Sequence, residues 1–498
     1  MCMVIIFCED LMSKLLSSCA ILRDRQMALK SRIKKEGTNL EKLKQKRQID
    51  IINGSIWRGL LQFALPVAAT AILSQLFNAS DIAVVGNFAG DESTAAVAAV
   101  GANAVIVGLV INFFVGISLG ATVVIANSIG LKDHESVHKA VHTSILVALL
   151  GGALVSLVGE LAAVPMLHLL SVPDDVFPAA LLYLRIYMLG MPVILLYNFE
   201  AAIFRSVGET KIPLIALAAS GVLNVILNLF FVIVLHMTVD GVAIATVAAN
   251  LVSSVILYRE LRRTTQEIHV DPRELKINAA CLRRILRIGV PAGFQSAVFS
   301  VSNIVIQSAI NSLGTIVMAA SSAAYNIEVI SYDVINGFSQ ACTTFVGQNY
   351  GAGNLPRCKK TLRLSLAEGA VALAAAIVLI LLFGRQLIAI FDNTPEVIEL
   401  GYIRLSLLMI SHAFSLVYEV LAGYLRGFGI SLMPSLLSML GICGVRIAWI
   451  QFVFPISQTF KTIMIGYPVS LFVTALLLLA AVLITRPAHK LKKAGSGL

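Results

Sequence analysis

The sequence predicts an all-α polytopic membrane protein of about twelve transmembrane helices in two pseudo-symmetric six-helix lobes. Three observations carry this. Of the 498 residues, 58% are hydrophobic and only 13% charged, and the mean hydropathy is +0.86, whereas a soluble surface needs far more charge. Apolar runs of about 20 residues, the length of a membrane-crossing helix, recur between short polar joints. Barrel strands would be about half as long and alternating in polarity. Finally, the second half of the chain repeats landmarks of the first. The net charge of +10 would suggest nucleic acid in a soluble chain. Here the basic residues gather in alternate joints, so the expected environment is a lipid bilayer and no nucleic-acid partner is implied.

Residues 1–54 read as an N-terminal cytosolic extension, basic from Lys30 to Asp50 (KSRIKKEGTNLEKLKQKRQID) and suited to an anionic membrane surface. Its first two dozen residues read as a tail without a transport role. LSSC at 16–19 loosely resembles a lipoprotein cleavage box, but Glu9 and Asp10 interrupt the apolar core that such a signal needs. Spans follow near 59–85, 96–128, 140–165, 179–203, 212–236, 240–258, 286–311, 318–348, 362–383, 398–424, 432–454 and 462–484. Every second joint is basic, as at Lys132 and Lys139, Arg205 and Lys211, and Arg357, Lys359 and Lys360. The intervening joints are acidic, as at Asp91 and Glu92, Asp174 and Asp175, and Asp392 and Glu396. By the positive-inside rule both termini are cytosolic in a multi-pass protein of the cell (inner) membrane.

The longest joint divides the spans six and six, giving an N-lobe at 55–258, a cytosolic linker at 259–285, a C-lobe at 286–485 and a basic tail at 486–498. Pro66 and Asn78 recur 225 residues later as Pro291 and Asn303, and Gly130 recurs 221 residues later as Gly351. RSVGETKIP (205–213) likewise recurs as RGFGISLMP (426–434). Six spans restore the starting side, so the lobes run in parallel about an axis normal to the membrane, with a cavity between them.

The first span contains one carboxylate, Asp81, and one proline, Pro66. An ionisable group inside a span is costly unless it serves a cavity or a partner. Burial disfavours its charged form, so such a group can load and release a proton near neutral pH. Proline removes a backbone donor and invites a bend, which makes Pro66 a candidate hinge. The repeat places the apolar Ile306 where the first lobe has Asp81.

Proline in span 1, then N-x-x-D-x-x-x-V-G near its end, GQNYGAG after span 8, R-x-x-G-x-x-x-x-P in two equivalent joints and GVAIAT opening span 6 together resemble the multidrug and toxic compound extrusion (MATE) antiporters. The resemblance covers about residues 55–485, and the order and spacing of the motifs carry it. It implies a secondary active antiporter that exports amphipathic, often cationic, organic compounds in exchange for protons or sodium ions, by alternating access and as a monomer. No enzyme activity and no cofactor are implied beyond the coupling ion. In the family the span 1 aspartate falls on Asp81, the proline on Pro66, and an accompanying polar cluster on Asn224, Asn228 and Thr246. Many members carry aspartate where this chain has Asn228, so proton sharing between two carboxylates is not available here. Asn224 and Asn228, one helical turn apart, can donate to Asp81 or complete the shell of a bound ion. Some members have a carboxylate in span 7, where this chain has only Val298, Phe299 and Ser300. The alternative is a lipid-linked oligosaccharide or lipid flippase of the same superfamily. That function calls for a strongly cationic cavity, and Arg446 is the single intramembrane arginine that the sequence suggests.

The second lobe has its own intramembrane charges. Arg446 needs a partner, and Glu419 is the candidate for a structural ion pair. Glu328 and Asp333 in span 8 are cavity candidates, together with Asn78 and the span 7 stripe Gln295, Asn303, Gln307 and Asn311. Such a stripe either lines a cavity or joins helices. Glu200 stands close enough to Arg205 for an intrahelical contact, or it takes a substrate role. His134, His138 and His142 repeat at four-residue spacing but read as a solvated helix face rather than a metal site, because no cysteine or acid accompanies them in sequence. The seven cysteines form no paired spacing that would suggest a disulfide framework or a metal site.

Overall fold

In a computed structural model of the chain the described residues are 49–88, 93–170 and 172–488, without the side chain of Thr94. Residues 1–48 of the basic extension, the Asp91–Glu92 joint and the tail beyond 488 lie outside them. The rest is helical: α1 Ile56–Phe88, α2 Ser93–Leu131, α3 His134–Leu169, α4 in two pieces (Phe177–Leu189 and Met191–Ser206), α5 Lys211–Val234 and α6 Val239–Arg263. After a linker come α7 Ala279–Asn311, α8 Thr315–Gly351, α9 Leu355–Ala389, α10 Pro395–Gly427, α11 Leu432–Ile456 and α12 Phe460–Thr485. The described residues contain no strand.

Ten of these helices are long and apolar enough to cross a membrane, and α4, bent by 50° at Gly190, is an eleventh. The twelfth, α8, has 37 residues, about 55 Å at the usual rise, and is held below the same apolar standard by its many hydroxyl, amide and acidic side chains. The helices overrun the apolar spans at most ends because flanking polar residues remain helical, as at Arg262 and Arg263 of α6 and Arg283 and Arg284 of α7. One consequence is that the linker covers only 264–278 rather than 259–285, with one 3-10 turn at Pro272–Glu274, since α6 continues through Arg263 and α7 begins at Ala279.

The repeat seen in sequence is a repeat of turns. Lys132 (φ 57°) and Gly353 (φ 70°) occupy equivalent left-handed positions, as do Gly208 (φ 85°) and Gly429 (φ 80°). Asp133 then caps α3, its Oδ1 accepting from Ser136 N at 3.0 Å. Asn354 caps α9 in the same way, accepting from Arg357 N at 3.3 Å. A side chain at this position satisfies a backbone donor that the helix start leaves orphaned.

The lobes meet through a pseudo-two-fold contact in the basic half of the bundle. A Cβ on Gly130 would fall on Gln348 O, and one on its equivalent Gly351 would fall on Asn127 O, the equivalent of Gln348. The same reciprocity joins Gly116 to the Gly293 backbone and Gly337 to the Ala64 carbonyl. Across this seam Gln348 Nε2 donates to Ser206 O at 2.7 Å, and the Phe63 and Phe345 rings meet edge to face at 6.2 Å. Small residues let helix backbones approach closely where no hydrophobic drive favours association. The seam ends well short of the acidic end. There Asn78 on α1 and Asn303, Gln307 and Asn311 on α7 are exposed.

Pro66 sits inside an unbroken α1. It cannot donate to the carbonyl four residues back, and that carbonyl, Gln62 O, instead accepts from Thr210 Oγ1 at 3.4 Å. Thr210 belongs to the Arg205–Pro213 motif, so the motif stabilises the place where the proline weakens the helix.

Candidate functional site

Asp81 lies on the face of α1 that packs against α5 and α6, and its exposure is 6%. Asn228 Nδ2 of α5 donates to Oδ1 at 2.6 Å, and Thr246 Oγ1 of α6 donates to Oδ2 at 3.1 Å. Asn224, one turn before Asn228, donates to Thr246 Oγ1 at 3.4 Å, and its own Oδ1 accepts from Asn228 at 3.3 Å. Asp81, Asn224, Asn228 and Thr246 are thus one hydrogen-bonded unit spanning three helices. Two features leave it adaptable. The Thr246 hydroxyl has one proton and two acceptors in reach, Asp81 Oδ2 and Val242 O at 3.0 Å, and it can serve only one at a time. Asn228 Oδ1 is buried without a partner, an acceptor that an arriving proton or cation can use. Immediately after Asn228, α5 changes to a π-helical turn over Phe230–Val234, a distortion common at functional sites.

The other candidates separate. Asn78 and Asn303 are exposed in the acidic halves of their helices, and Gln307 Nε2 donates to Asn311 Oδ1 at 2.8 Å on the same exposed face. Gln295, at the basic end of that stripe, is buried and accepts from Arg426 Nη2 at 2.8 Å. It joins α7 to α10 and does not line a cavity, because the lobe seam closes over that end of α7. Asp333 is buried with Oδ2 lacking a partner. It stands one turn from Gly337, which packs on α1.

Glu328, expected in the cavity, is instead clamped by Arg404 of α10, with Nε to Oε2 and Nη2 to Oε1 both at 2.8 Å. Arg404 Nη1 also donates to Ser321 Oγ at 2.6 Å. Among the described residues this fork, and not Glu419 with Arg446, is the buried ion pair of the C-lobe. Glu419 accepts from Tyr332 Oη at 2.9 Å. Arg446 donates from Nε to Ser470 Oγ at 3.0 Å and lies 4.2 Å over the Tyr467 ring. The sequence-based pairing fails because burial of a charge demands a partner without specifying a carboxylate, and a hydroxyl with an aromatic face serves part of that demand.

Sequence reasoning missed Arg404, Glu368 and His412. Arg404 and Glu368 interrupt apolar runs and would have been found by the same search for intramembrane charge. Glu368 of α9 is buried with neither carboxylate oxygen partnered, and His412 pairs with Ser331 Oγ at 2.7 Å. Glu200 makes no ion pair with Arg205 among the described residues and instead accepts from Ser254 Oγ of α6 at 2.8 Å. Acids also reach the histidines of α3, contrary to expectation, because the linker folds back onto them. Glu267 meets His134 at 3.1 Å and Glu274 meets His138 at 2.9 Å, while His142 Nε2 faces the Asp271 backbone N at 3.2 Å.

The two parallel lobes, the long apolar helices and a buried carboxylate cluster beside a proline-containing helix define a multi-pass membrane protein of the two-lobed transporter class. The MatE family model matches residues 66–230 and again 291–450, one match in each lobe, beginning at Pro66 and at Pro291. The chain belongs to the MatE family. It is 27% identical over 441 residues to the Bacillus subtilis (strain 168) protein named "Probable multidrug resistance protein YoeA", covering 85% of this chain and 93% of that one. It is 21% identical over 375 residues to the "Multidrug export protein MepA" of Staphylococcus haemolyticus (strain JCSC1435), covering 75% and 82%. Its fold matches a structure described as the outward-facing conformation of a multidrug resistance MATE family transporter of the MOP superfamily. That match has a TM-score of 0.81 and 20% identity and covers 89% of this chain and 98% of that one.

Proposed function

We propose that this chain is a secondary active antiporter of the cell (inner) membrane that exports amphipathic organic cations in exchange for protons or sodium ions. It works by alternating access, as a monomer with both termini in the cytosol. The observation that carries the reading is the Asp81 unit, a buried carboxylate held by donors from two other helices and free of any cationic side chain within 4 Å among the described residues. Relatives named for multidrug resistance and export support the substrate class.

In this reading a proton or sodium ion arriving at Asp81 neutralises it. Thr246 can then return its hydrogen to Val242 O, and Asn228 loses its charged acceptor. The contacts that fasten α1 to α5 and α6 weaken, and α1 shifts about Pro66, where one helical hydrogen bond is already missing. Coupling free energy is reciprocal, so ion and drug must each disfavour the other. The interlobe seam at the basic end and the exposed acidic halves of α1 and α7 support reading this conformation as the one open to the outside. If the exchange moves net charge, each elementary charge gains about 2.3 kcal/mol per 100 mV, and the rate follows voltage.

The test is efflux of a fluorescent cation from vesicles containing the purified protein, with proton and sodium gradients imposed separately. The productive gradient identifies the coupling ion. Asp81→Asn is expected to lower gradient-driven efflux at least about tenfold, the effect of losing roughly 1.4 kcal/mol of coupling, while protein yield and melting temperature stay near wild type. Efflux that proceeds unchanged in Asp81→Asn would sink the coupling role.

A further inference from the structure

We propose that the C-lobe holds an anion-binding site at Arg446, which takes a carboxylate or similar oxyanion attached to an aromatic or apolar body. Arg446 lies near the middle of α11, where a free charge is expensive. Among the described residues no carboxylate comes within 4 Å of it. Glu419, the partner expected from the sequence, is engaged with the Tyr332 hydroxyl, and Glu328 is held in the fork with Arg404. One nitrogen of Arg446, Nε, is used on Ser470. The two terminal nitrogens carry no hydrogen bond to the described protein, and they are the planar fork that matches a carboxylate in two parallel bonds. The residue is only half-buried.

The backbone supports the same conclusion. α11 is π-helical over Met439–Gly444 and again over Trp449–Val453, and Arg446 occupies the single α-helical turn between them, Val445–Ala448. α5 has one such segment, Phe230–Val234, at the place equivalent to the second, so the first is peculiar to the C-lobe and lies just before the arginine. π-Bulges concentrate at functional sites. The surroundings also suit an aromatic acid. Arg446 stacks on Tyr467 at 4.2 Å, and the Arg404 guanidinium lies 5.8 Å from the centroid of the same ring. The Glu328–Arg404 pair is neutral as a unit, so the local excess is the single charge of Arg446. If the chain exports amphipathic compounds as proposed above, this site accepts the acid end of zwitterionic or anionic ones; that extension rests on the export reading, whereas the binding site does not.

Trp449, one helical turn after Arg446, is one of two tryptophans in the chain and serves as reporter in a Trp57→Phe background. The full-length protein in neutral detergent is titrated with sodium benzoate and, as the uncharged match, benzamide. Binding of radiolabelled benzoate is measured in parallel. Expected are a saturable benzoate response, none to benzamide, and at least tenfold weaker binding in Arg446→Gln at unchanged melting temperature. Arg446→Lys keeps the charge without the fork and should bind at an intermediate level, which keeps the test open should the glutamine variant fold poorly. Repeating the titration in nanodiscs separates two sources of the anion. Benzoate binding in phosphatidylcholine that disappears in phosphatidylglycerol identifies a lipid headgroup as the resident anion, and binding in both identifies a free organic acid. Either result supports the site. No binding to wild type in any of these settings, or full binding in Arg446→Gln, overturns it. No ion gradient enters the measurement, so its failure is distinguishable from failure of the antiport reading.

Discussion

At equivalent depths the N-lobe has Asp81, Asn228 and Thr246, and the C-lobe has Ile306, Trp449 and Tyr467. The first set is a hydrogen-bonded carboxylate unit. In the second, Ile306 belongs to an apolar cluster against which Tyr467 packs, the tryptophan donates to Thr462 O at 2.8 Å, and a guanidinium lies over the tyrosine. One duplicated scaffold thus carries an acidic site on one side and a basic, aromatic one on the other. The backbone turns are shared while the chemistry is not. Symmetry therefore resides in the helix ends and the glycine seam, where geometry has few solutions, and the lobe interiors are free to diverge.

The buried charges are where this contrast breaks most readily. Glu328→Gln removes the carboxylate that neutralises Arg404 and should cost about 3–5 kcal/mol, because a buried charge is stranded. A Glu328→Met, Arg404→Leu double variant should regain most of that. Thermal unfolding in detergent measures both, and a Glu328→Gln protein as stable as wild type would remove the ion pair from the account of C-lobe stability.

The seam should respond next. Gly351→Val forces a side chain onto the Asn127 carbonyl, and Gly130→Val is its mirror. Each should destabilise the closed basic end by about 1–3 kcal/mol, the usual range for overpacking, and increase labelling of a cysteine placed at Ser206 by a membrane-impermeant maleimide applied from the basic side. Unequal effects of the two variants would show that the lobe contact is less symmetric than its backbone.

Thr210→Ala tests the support of the proline. Loss of its hydrogen bond to Gln62 O should cost about 1 kcal/mol. Ser431→Ala at the equivalent C-lobe position should cost nothing or add stability, since the buried Ser431 hydroxyl has no partner. Equal losses in the melting curves would mean that Pro66 and Pro291 are supported alike.

The smallest effect belongs to Lys132, one of the two paired left-handed turns. Lys132→Gly should stabilise by about 0.5 kcal/mol, the strain of a left-handed side chain less the entropy of a new glycine, whereas Gly353→Ala should destabilise by about 1–2 kcal/mol. A melting temperature that falls in Lys132→Gly would refute the strain argument.

Much of this was legible in the sequence. The span count and the two lobes followed from apolar length and from the spacing of Pro66, Pro291, Gly130 and Gly351. Asp81 stood out as a charge in an apolar run, and the family resemblance supplied Asn224, Asn228 and Thr246 as its neighbours. Illegible were the contacts that depend on rotation about each helix axis. Glu419 and Arg446 look like partners in one dimension, yet each side chain points to a hydroxyl instead, and Glu328 meets an arginine 76 residues away that the sequence reading passed over. Gln295 and Asn303 lie on one stripe, but the seam buries the first and leaves the second exposed.

The sequence by itself determined the helices, their number and their twofold arrangement, because the bilayer admits only segments long and apolar enough to cross it with their backbone groups internally paired. Tertiary structure alone decided which buried charge meets which partner, where the lobes touch, and that Arg446 has no acid within ion-pair distance among the described residues. Those outcomes turn on the rotation of each helix about its own axis and on π-helical turns, and no local pattern of apolar and polar residues encodes them.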